Sequence, residues 1–309
     1  MIGVFIQRLV QGLLVLFVLF TLTFFLCKSL PYDAIQSEKA MPEQVQQKMR
    51  AYYNYDKPVI SQYTLMLYNF AIKWDPGYSV RLEGRPVLDI IKQSFPVSFI
   101  IGTCSMVIAL AVGIPIGVIS AARRNTLWDF GLMAFAMIGL CVPSFVSGPL
   151  LAEFFGSHLR WLPAMGWESG RLDDLVLPVL TLSLGVAAYI SRMTRAGMLD
   201  ILSQDFIRTA RAKGVSSSSI LIKHCLRGGL VPVVAYIGPA YAGIIAGSVI
   251  IETVFQVPGL GSHYIKAIEV NDVGVILAIA VLFGALVVLG NILSDVLNAW
   301  LNPRARQSS

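Results

Sequence analysis

Residues 203–224, SQDFIRTARAKGVSSSSILIKH, gather Arg208, Arg211, Lys213 and Lys223 into one short run. Guanidinium and ammonium groups at this density make ionic and hydrogen-bonded contacts to a partner. The residues that carry catalysis or metal binding are scattered instead. His158, His224 and His263 stand alone, with no HExxH and no CxxC, so zinc has no framework. Cys27, Cys104, Cys141 and Cys225 fall in or beside apolar runs and read as small apolar fillers, not as a disulfide set. No G-x-x-x-x-G-K-[ST] phosphate loop occurs, so any ATP chemistry would belong to another polypeptide. The expectation is a non-catalytic chain with no cofactor, no metal and no nucleic-acid partner. Its basic run is a handle for something to grip.

A handle needs a body, and composition indicates which kind. Of 309 residues, 56% are hydrophobic and 14% charged, against about 25% charged in soluble proteins; mean hydropathy is +0.69. Crossing about 30 Å of hydrocarbon takes roughly 17–25 helical residues. Six uncharged runs suit that length: Leu9–Cys27, Ser98–Ala122, Phe130–Ala152, Leu175–Ser191, Leu230–Ile251 and Val273–Ser294. The pattern predicts an all-α polytopic membrane protein with six transmembrane helices. The first run is read as a retained helix, because KSLPYDAIQSEK after it lacks a small-x-small cleavage pattern; a cleaved signal is the alternative.

Lysine and arginine bias short loops toward the cytoplasm. Arg8, Arg123, Arg124, Arg304 and Arg306 fall on one face of a six-span arrangement, together with Arg192, Arg195, Arg208, Arg211, Lys213, Lys223 and Arg227. Only Arg160, Arg171 and Lys266 occupy the two later loops of the other face. Both termini and the 203–224 run are therefore expected in the cytoplasm.

This gives three stretches: 1–30, the N-terminus and first helix; 31–97, a small external subdomain; and 98–309, a five-helix core with a cytoplasmic loop at 192–229. In the external stretch, Pro42 followed by EQVQQKMRAYY suggests a helix with proline in its first turn. PVISQYTLMLYNFAIKW has an amphipathic period and ends at the turn signal DPGYS. Tyr52, Tyr53, Tyr63 and Trp74 suit packing more than disorder.

Within the loop, Ser203 is placed to cap a helix with Asp205 in its first turn, Lys213 in its last and Gly214 just beyond. Ser216 to Ser219 offer caps for a second helix running into the fifth span. Ala210 and Ala212 keep the first helix slim enough for close approach by a partner. The rival account is a basic loop lying on anionic membrane lipid.

The loop resembles the EAA motif of permease subunits of ATP-binding-cassette importers, E-A-A-x3-G followed by x9-I-x-L-P. Arg208, Thr209 and Ala210 stand at E-A-A, Gly214 keeps the spacing, and His224 to Arg227 stand at I-x-L-P. The glutamate and proline are absent. DFIRTARAKG instead matches the pattern of the oligopeptide/dipeptide branch throughout. YDKPVISQY, WDPGYSV, LCVPSFV, WLPAMGW, LPVLTLSLG, GPAYAGIIAGSVIIETVFQVPGLG and LNPRAR resemble family blocks in order, and the details are most similar to B-type oligopeptide permease subunits.

The resemblance implies a type I importer permease fold in a bacterial inner membrane. It also implies four kinds of partner: a homologous C-type permease subunit, two ATPase subunits, an external peptide-binding protein and a peptide substrate. Asp205, Arg208, Thr209, Ala210, Arg211, Ala212, Lys213 and Gly214 would form the helix seated in an ATPase cleft. Ala210 and Gly214 would give close fit, with Arg208, Arg211 and Lys213 making polar contacts.

Gly113–Gly117 and Gly243–Gly247 have GxxxG spacing, which permits close helix approach. Pro115, Pro143, Pro178, Pro232 and Pro239 are expected to interrupt helices. Glu153 and Glu252 fall at outer span ends and Asp295 near an inner one. Glu252, Pro258 and Gly259 are candidates for the outer mouth. Asn291 and Asp295 share a face and are assigned Arg192 or Arg195 as partner. Tyr189, Tyr236 and Tyr241 are candidates to line the path, with packing between helices as the alternative.

Dipeptide, glutathione and nickel-chelate cargoes stay open beside oligopeptides. An ion-coupled secondary transporter would want midplane ionisable groups and an inverted repeat; a channel would want a filter sequence or a charged ring. None of these is evident in the sequence, nor is a paired catalytic set for an intramembrane protease.

Overall fold

A computed structural model of the chain describes residues 2–30, 47, 50–51, 54–80, 85–168 and 171–301. Most of the helix expected after Pro42, including Tyr52 and Tyr53, lies outside the described residues, as do Arg304 and Arg306 of the tail; residues 47, 50 and 51 are helical. Regular elements among the described residues are helical: α1 (Ile2–Ser29), α2 (Val59–Tyr68), α3 (Val87–Ala122), α4 (Leu127–Cys141), α5 (Ser144–Leu151), α6 (Asp173–Leu202), α7 (Asp205–Ala212), α8 (Val231–Val254), α9 (Leu260–Glu269) and α10 (Val273–Leu301). Short π-helical segments cover Asn69–Lys73, Ala152–His158 and Ile220–Cys225.

Among the described residues, five helices are long and apolar enough to cross a membrane singly: α1, α3, α6, α8 and α10. The third expected span is not one straight helix. It breaks into α4 and a second helical stretch, Ser144–His158, bent by 101°. The cause is local. Val142 precedes Pro143 and adopts extended angles, φ −87° and ψ 114°, because the proline ring disfavours the helical region for the residue before it. Pro178 and Pro239 do not interrupt their helices, nor does Pro115 within α3. Pro232 sits in the first turn of α8, where no amide bond is lost.

The chain divides into two compact units, 1–98 with 258–286 and 99–257 with 287–309. In the first unit, Phe20, Phe24 and Cys27 of α1 are buried with Ile90 of α3, Leu260 of α9 and Leu277 of α10. Tyr63 and Phe70 pack against that cluster, edge-on to Phe24 and Phe20 respectively. Trp74, expected to pack, is 82% exposed. The DPGYS turn forms as its residues dictate: Gly77 takes φ +83° and donates its amide to Asp75 Oδ1 at 2.9 Å. The buried Asp272 carboxylate, just before α10, then fixes the following residues. It accepts from the Ser79 hydroxyl at 2.6 Å and the Val80 amide at 3.0 Å.

In the second unit α6 is the central post, with Leu177, Ile190 and Met198 fully buried. Lipid tails are as apolar as leucine, so helices here associate by close packing more than by escape from water. Glycine supplies the closeness. A Cβ at Gly113 of α3 would lie 2.7 Å from Ala187 O, and one at Gly117 2.5 Å from Ser191 O. The first GxxxG pair is thus the α3–α6 contact. Gly243 has open space around it. Gly238 of α8 and Gly290 of α10 meet backbone to backbone, a Cβ at Gly290 falling 2.7 Å from Gly238 O.

Candidate functional site

Only Ser203 and Gln204 separate α6 from α7. Ser203 does not cap α7: its hydroxyl donates to Asp200 O at 2.7 Å, because α6 runs on to Leu202. Gln204 holds the N-cap position with no side-chain cap bond. The other end is closed as the sequence suggests. Gly214 takes φ +76° and donates its amide to Arg211 O at 2.9 Å, while the Val215 amide donates to Ala210 O at 3.2 Å. This pair of bonds is a Schellman motif. The Thr209 hydroxyl donates back to Asp205 O at 3.1 Å.

The helix is strongly two-faced. Ile207 is fully buried in a cluster with Ala121, Met198, Ile220 and Cys225, and Ala210 and Val215 pack on that cluster. Ala210, expected to give close fit to a partner, is half-buried and packs in part on the chain itself. Ala212 lies on the exposed side with Asp205, Arg208, Thr209, Arg211, Lys213 and Gly214. Arg208 and Asp205 sit 3.6 Å apart, both largely exposed, an arrangement worth little on its own. Phe206, 52% exposed, was not singled out from sequence. An apolar ring next to Asp205 and two residues from Arg208 was the signal.

The second helix of the loop is not continuous. A single turn at Ser217–Ser219 passes into the π segment Ile220–Cys225 and then Leu226–Gly229. Ser216 does cap it, its hydroxyl accepting from the Ser219 amide at 3.4 Å. Gly229 lets the loop touch α6: a Cβ there would lie 2.7 Å from Met198 Sδ.

Near the loop end of α6, Asp129 is 2% exposed and accepts both Arg195 Nε and Nη2, at 2.7 and 2.8 Å. It also accepts the Ser120 hydroxyl and the Asn125 amide. Arg195, one of the two arginines assigned to Asn291 and Asp295 from sequence, is thus held by Asp129, and the clasp joins α3, α4 and α6. Sequence reading placed Asp129 just outside an apolar run and assigned it nothing.

An open groove of about 700 Å³ runs along α4, α5, α6 and α8, past the break at Pro143. Its wall is largely apolar, with hydroxyls from Ser144, Ser147, Thr181 and Tyr236 and, among the described residues, no charged side chain. Tyr236 is on this wall, and its ring centroid lies 4.5 Å from that of Tyr189 with the planes tilted by 42°. Tyr241 is elsewhere: its hydroxyl pairs with Thr103 at 2.7 Å, and its ring meets Phe99, so it packs α8 on α3. Glu252 is fully buried and accepts the Ser248 hydroxyl at 2.6 Å; its main-chain carbonyl accepts the Val257 amide at 2.8 Å. Pro258 is exposed, and Gly259 is the extended N-cap of α9.

Residues 113–307 match the family described as binding-protein-dependent transport system inner membrane component. The chain is 40% identical to the oligopeptide transport system permease protein OppB of Haemophilus influenzae, across 97% of this chain and 98% of that one. It is 39% identical to OppB of Salmonella typhimurium over the same shares. It is also 38% identical to the dipeptide transport system permease protein DppB of Bacillus subtilis, across 94% and 93%. A solved structure of the MetNI methionine ABC transporter, in an inward-facing conformation, superposes with a TM-score of 0.60 at 19% identity, over 69% of this chain and 96% of that one; this likeness speaks to the fold alone. The chain belongs to the binding-protein-dependent transport system inner membrane component family and is a homologue of the oligopeptide permease subunits of ABC importers.

Proposed function

We propose that this chain forms half of an oligopeptide path across a bacterial inner membrane and takes its drive from partner ATPases through α7. One observation carries the reading. A short helix with a basic, Phe206-bearing outer face is closed by a Schellman turn and follows a helix long enough to span the bilayer after only two residues. Movement of α7 is passed to α6 with little slack, and rigid helices tilt. Asp205, Phe206, Arg208, Thr209, Ala212 and Lys213 face the ATPase, while Ala210 and Gly214 set the shape of the helix end.

The basic loops support an orientation with both termini and α7 in the cytoplasm. Residues 31–97 then form an external subdomain and 98–309 the core. A homologous permease subunit faces the open groove, and an external binding protein delivers peptide near Glu252, Pro258 and Gly259. The uncharged groove wall suits varied peptide sequences, with selectivity resting in the binding protein. Tyr236 borders this path, with Tyr189 in ring contact behind it; Tyr241 has a packing role.

The test is reconstitution with the companion permease, ATPases and binding protein. Peptide uptake should stop when ATP binding is blocked, and the ATPases should co-purify with the wild-type chain but not with Arg208→Glu. Uptake driven by an ion gradient in the chain alone would overturn the reading.

A further inference from the structure

A second cavity, of about 560 Å³, opens among the α3–α4 turn, the end of α6 and the segment after α7. Arg123, Arg124 and Arg211 line it and, among the described residues, no carboxylate does. These arginines come from two separate stretches of chain, so the fold, not local sequence, brings them together. The hydroxyls of Thr126 and Ser203 donate to the carbonyls of Arg123 and Asp200. Recognition therefore falls on the guanidinium groups and Ser217. The floor is apolar, from Ala121, Leu202 and Ile220.

A cationic rim over an apolar floor selects a ligand with an anionic head and an apolar body. Guanidinium forks match phosphate oxygens two at a time. The volume lies within the usual 300–1,000 Å³ of a small-molecule site, far more than a bare phosphate ion fills. The neighbouring surface indicates where such a ligand comes from. Leu127, Trp128 and Phe130 are 89%, 62% and 64% exposed, and the Arg123 guanidinium lies 5.2 Å from the Trp128 ring centre. Exposed aromatic and aliphatic groups beside arginines mark the headgroup level of a bilayer.

We propose that this cavity holds the phosphate head of an anionic phospholipid from the leaflet on the α7 side. The occupant bridges the α3–α4 turn to the segment carrying α7, so lipid composition sets how firmly that segment is held. The inference rests on the membrane reading but not on the identity of the ATPases or the cargo.

The test uses the full-length chain alone, purified in detergent, with bound lipid counted by native mass spectrometry. Phosphatidylglycerol is offered against phosphatidylcholine, then against millimolar inorganic phosphate. Wild type should retain phosphatidylglycerol in preference to phosphatidylcholine. At about 1 kcal/mol per basic residue, Arg124→Gln should weaken retention about fivefold and Arg123→Gln/Arg124→Gln about thirtyfold. Arg192→Gln, on an exposed part of α6 away from the cavity, should change nothing, and Arg123→Lys/Arg124→Lys should keep most of the preference. Circular dichroism and gel filtration confirm that each variant is folded. Wild-type retention in the double glutamine variant would overturn the proposal, as would an equal loss in Arg192→Gln. Displacement by inorganic phosphate would overturn it in favour of a soluble phosphate ligand.

Discussion

Replacing Gly214 with valine isolates the contribution of the α7 end. The residue sits at φ +76°, and a Cβ added to it would meet nothing within 4 Å, so backbone strain, not collision of the Cβ, sets the cost. An L-residue in the left-handed region costs about 1–2 kcal/mol, more when β-branched. The chain has one escape: it can leave that region and give up the Gly214–Arg211 and Val215–Ala210 bonds. Those are worth about 1 kcal/mol each. Both routes end near 2 kcal/mol, which is roughly a thirtyfold loss in the population of the closed turn. Ile207, fully buried, keeps the rest of α7 docked, so the global melting temperature should barely move. Hydrogen exchange at the amides of residues 214 and 215 should speed up about thirtyfold. In the reconstituted complex, ATPase retention and peptide uptake should fall together, and asparagine at 214 should recover much of both. Wild-type exchange together with wild-type uptake in the valine variant would refute the reasoning.

Three further outcomes follow from the packing. Asp129→Ala should destabilise the detergent-purified chain by about 2–3 kcal/mol; with Arg195 28% exposed, the stranded guanidinium can partly hydrate, so Asp129→Ala/Arg195→Ala should recover some of that loss in a thermal double-mutant cycle. Gly117→Leu should cost at least 1–3 kcal/mol because its Cβ meets Ser191 O at 2.5 Å, whereas Gly131→Ala, with nothing within 4 Å, should be neutral or mildly stabilising by thermal melting. Phe206→Ala should leave stability within about 0.5 kcal/mol yet lower ATPase co-purification, while Ile207→Ala should cost about 2–5 kcal/mol.

What could be read in advance was whatever local sequence decides alone. Long uncharged runs announced the spans, because the bilayer imposes one length on every helix that crosses it. Gly214 announced its turn, because few other residues tolerate that backbone geometry. Ser203 misled for a physical reason: a capping residue cannot be recognised where the preceding helix continues into it. Ala210 is ambiguous for another reason: its small size fits a partner or a neighbour equally well. Asp129 and Arg195 lie 66 positions apart, and nothing in either local sequence names the other. Gly113 and Gly117 showed their spacing but not their contact, since the opposing surface is the backbone of α6. Proline fell between: Pro143 follows an extended Val142 and broke its span, whereas Pro115 sits within an unbroken α3.

The placing of the glycine contact on α6 has a mechanical corollary. Helix α6 spans Asp173–Leu202, about 45 Å at 1.5 Å per residue. Gly113 and Gly117 press on it at Ala187 and Ser191, close to its midpoint. Were α6 to pivot there, it would act as a seesaw with nearly equal arms, with the Arg195–Asp129 clasp and the Gly229 contact riding on the α7-side arm. Displacing the α7 end by a given distance would then swing the opposite end about as far, in the opposite sense. Shifting that fulcrum by one turn, through moving the paired glycines along α3, would change the stroke without touching either end.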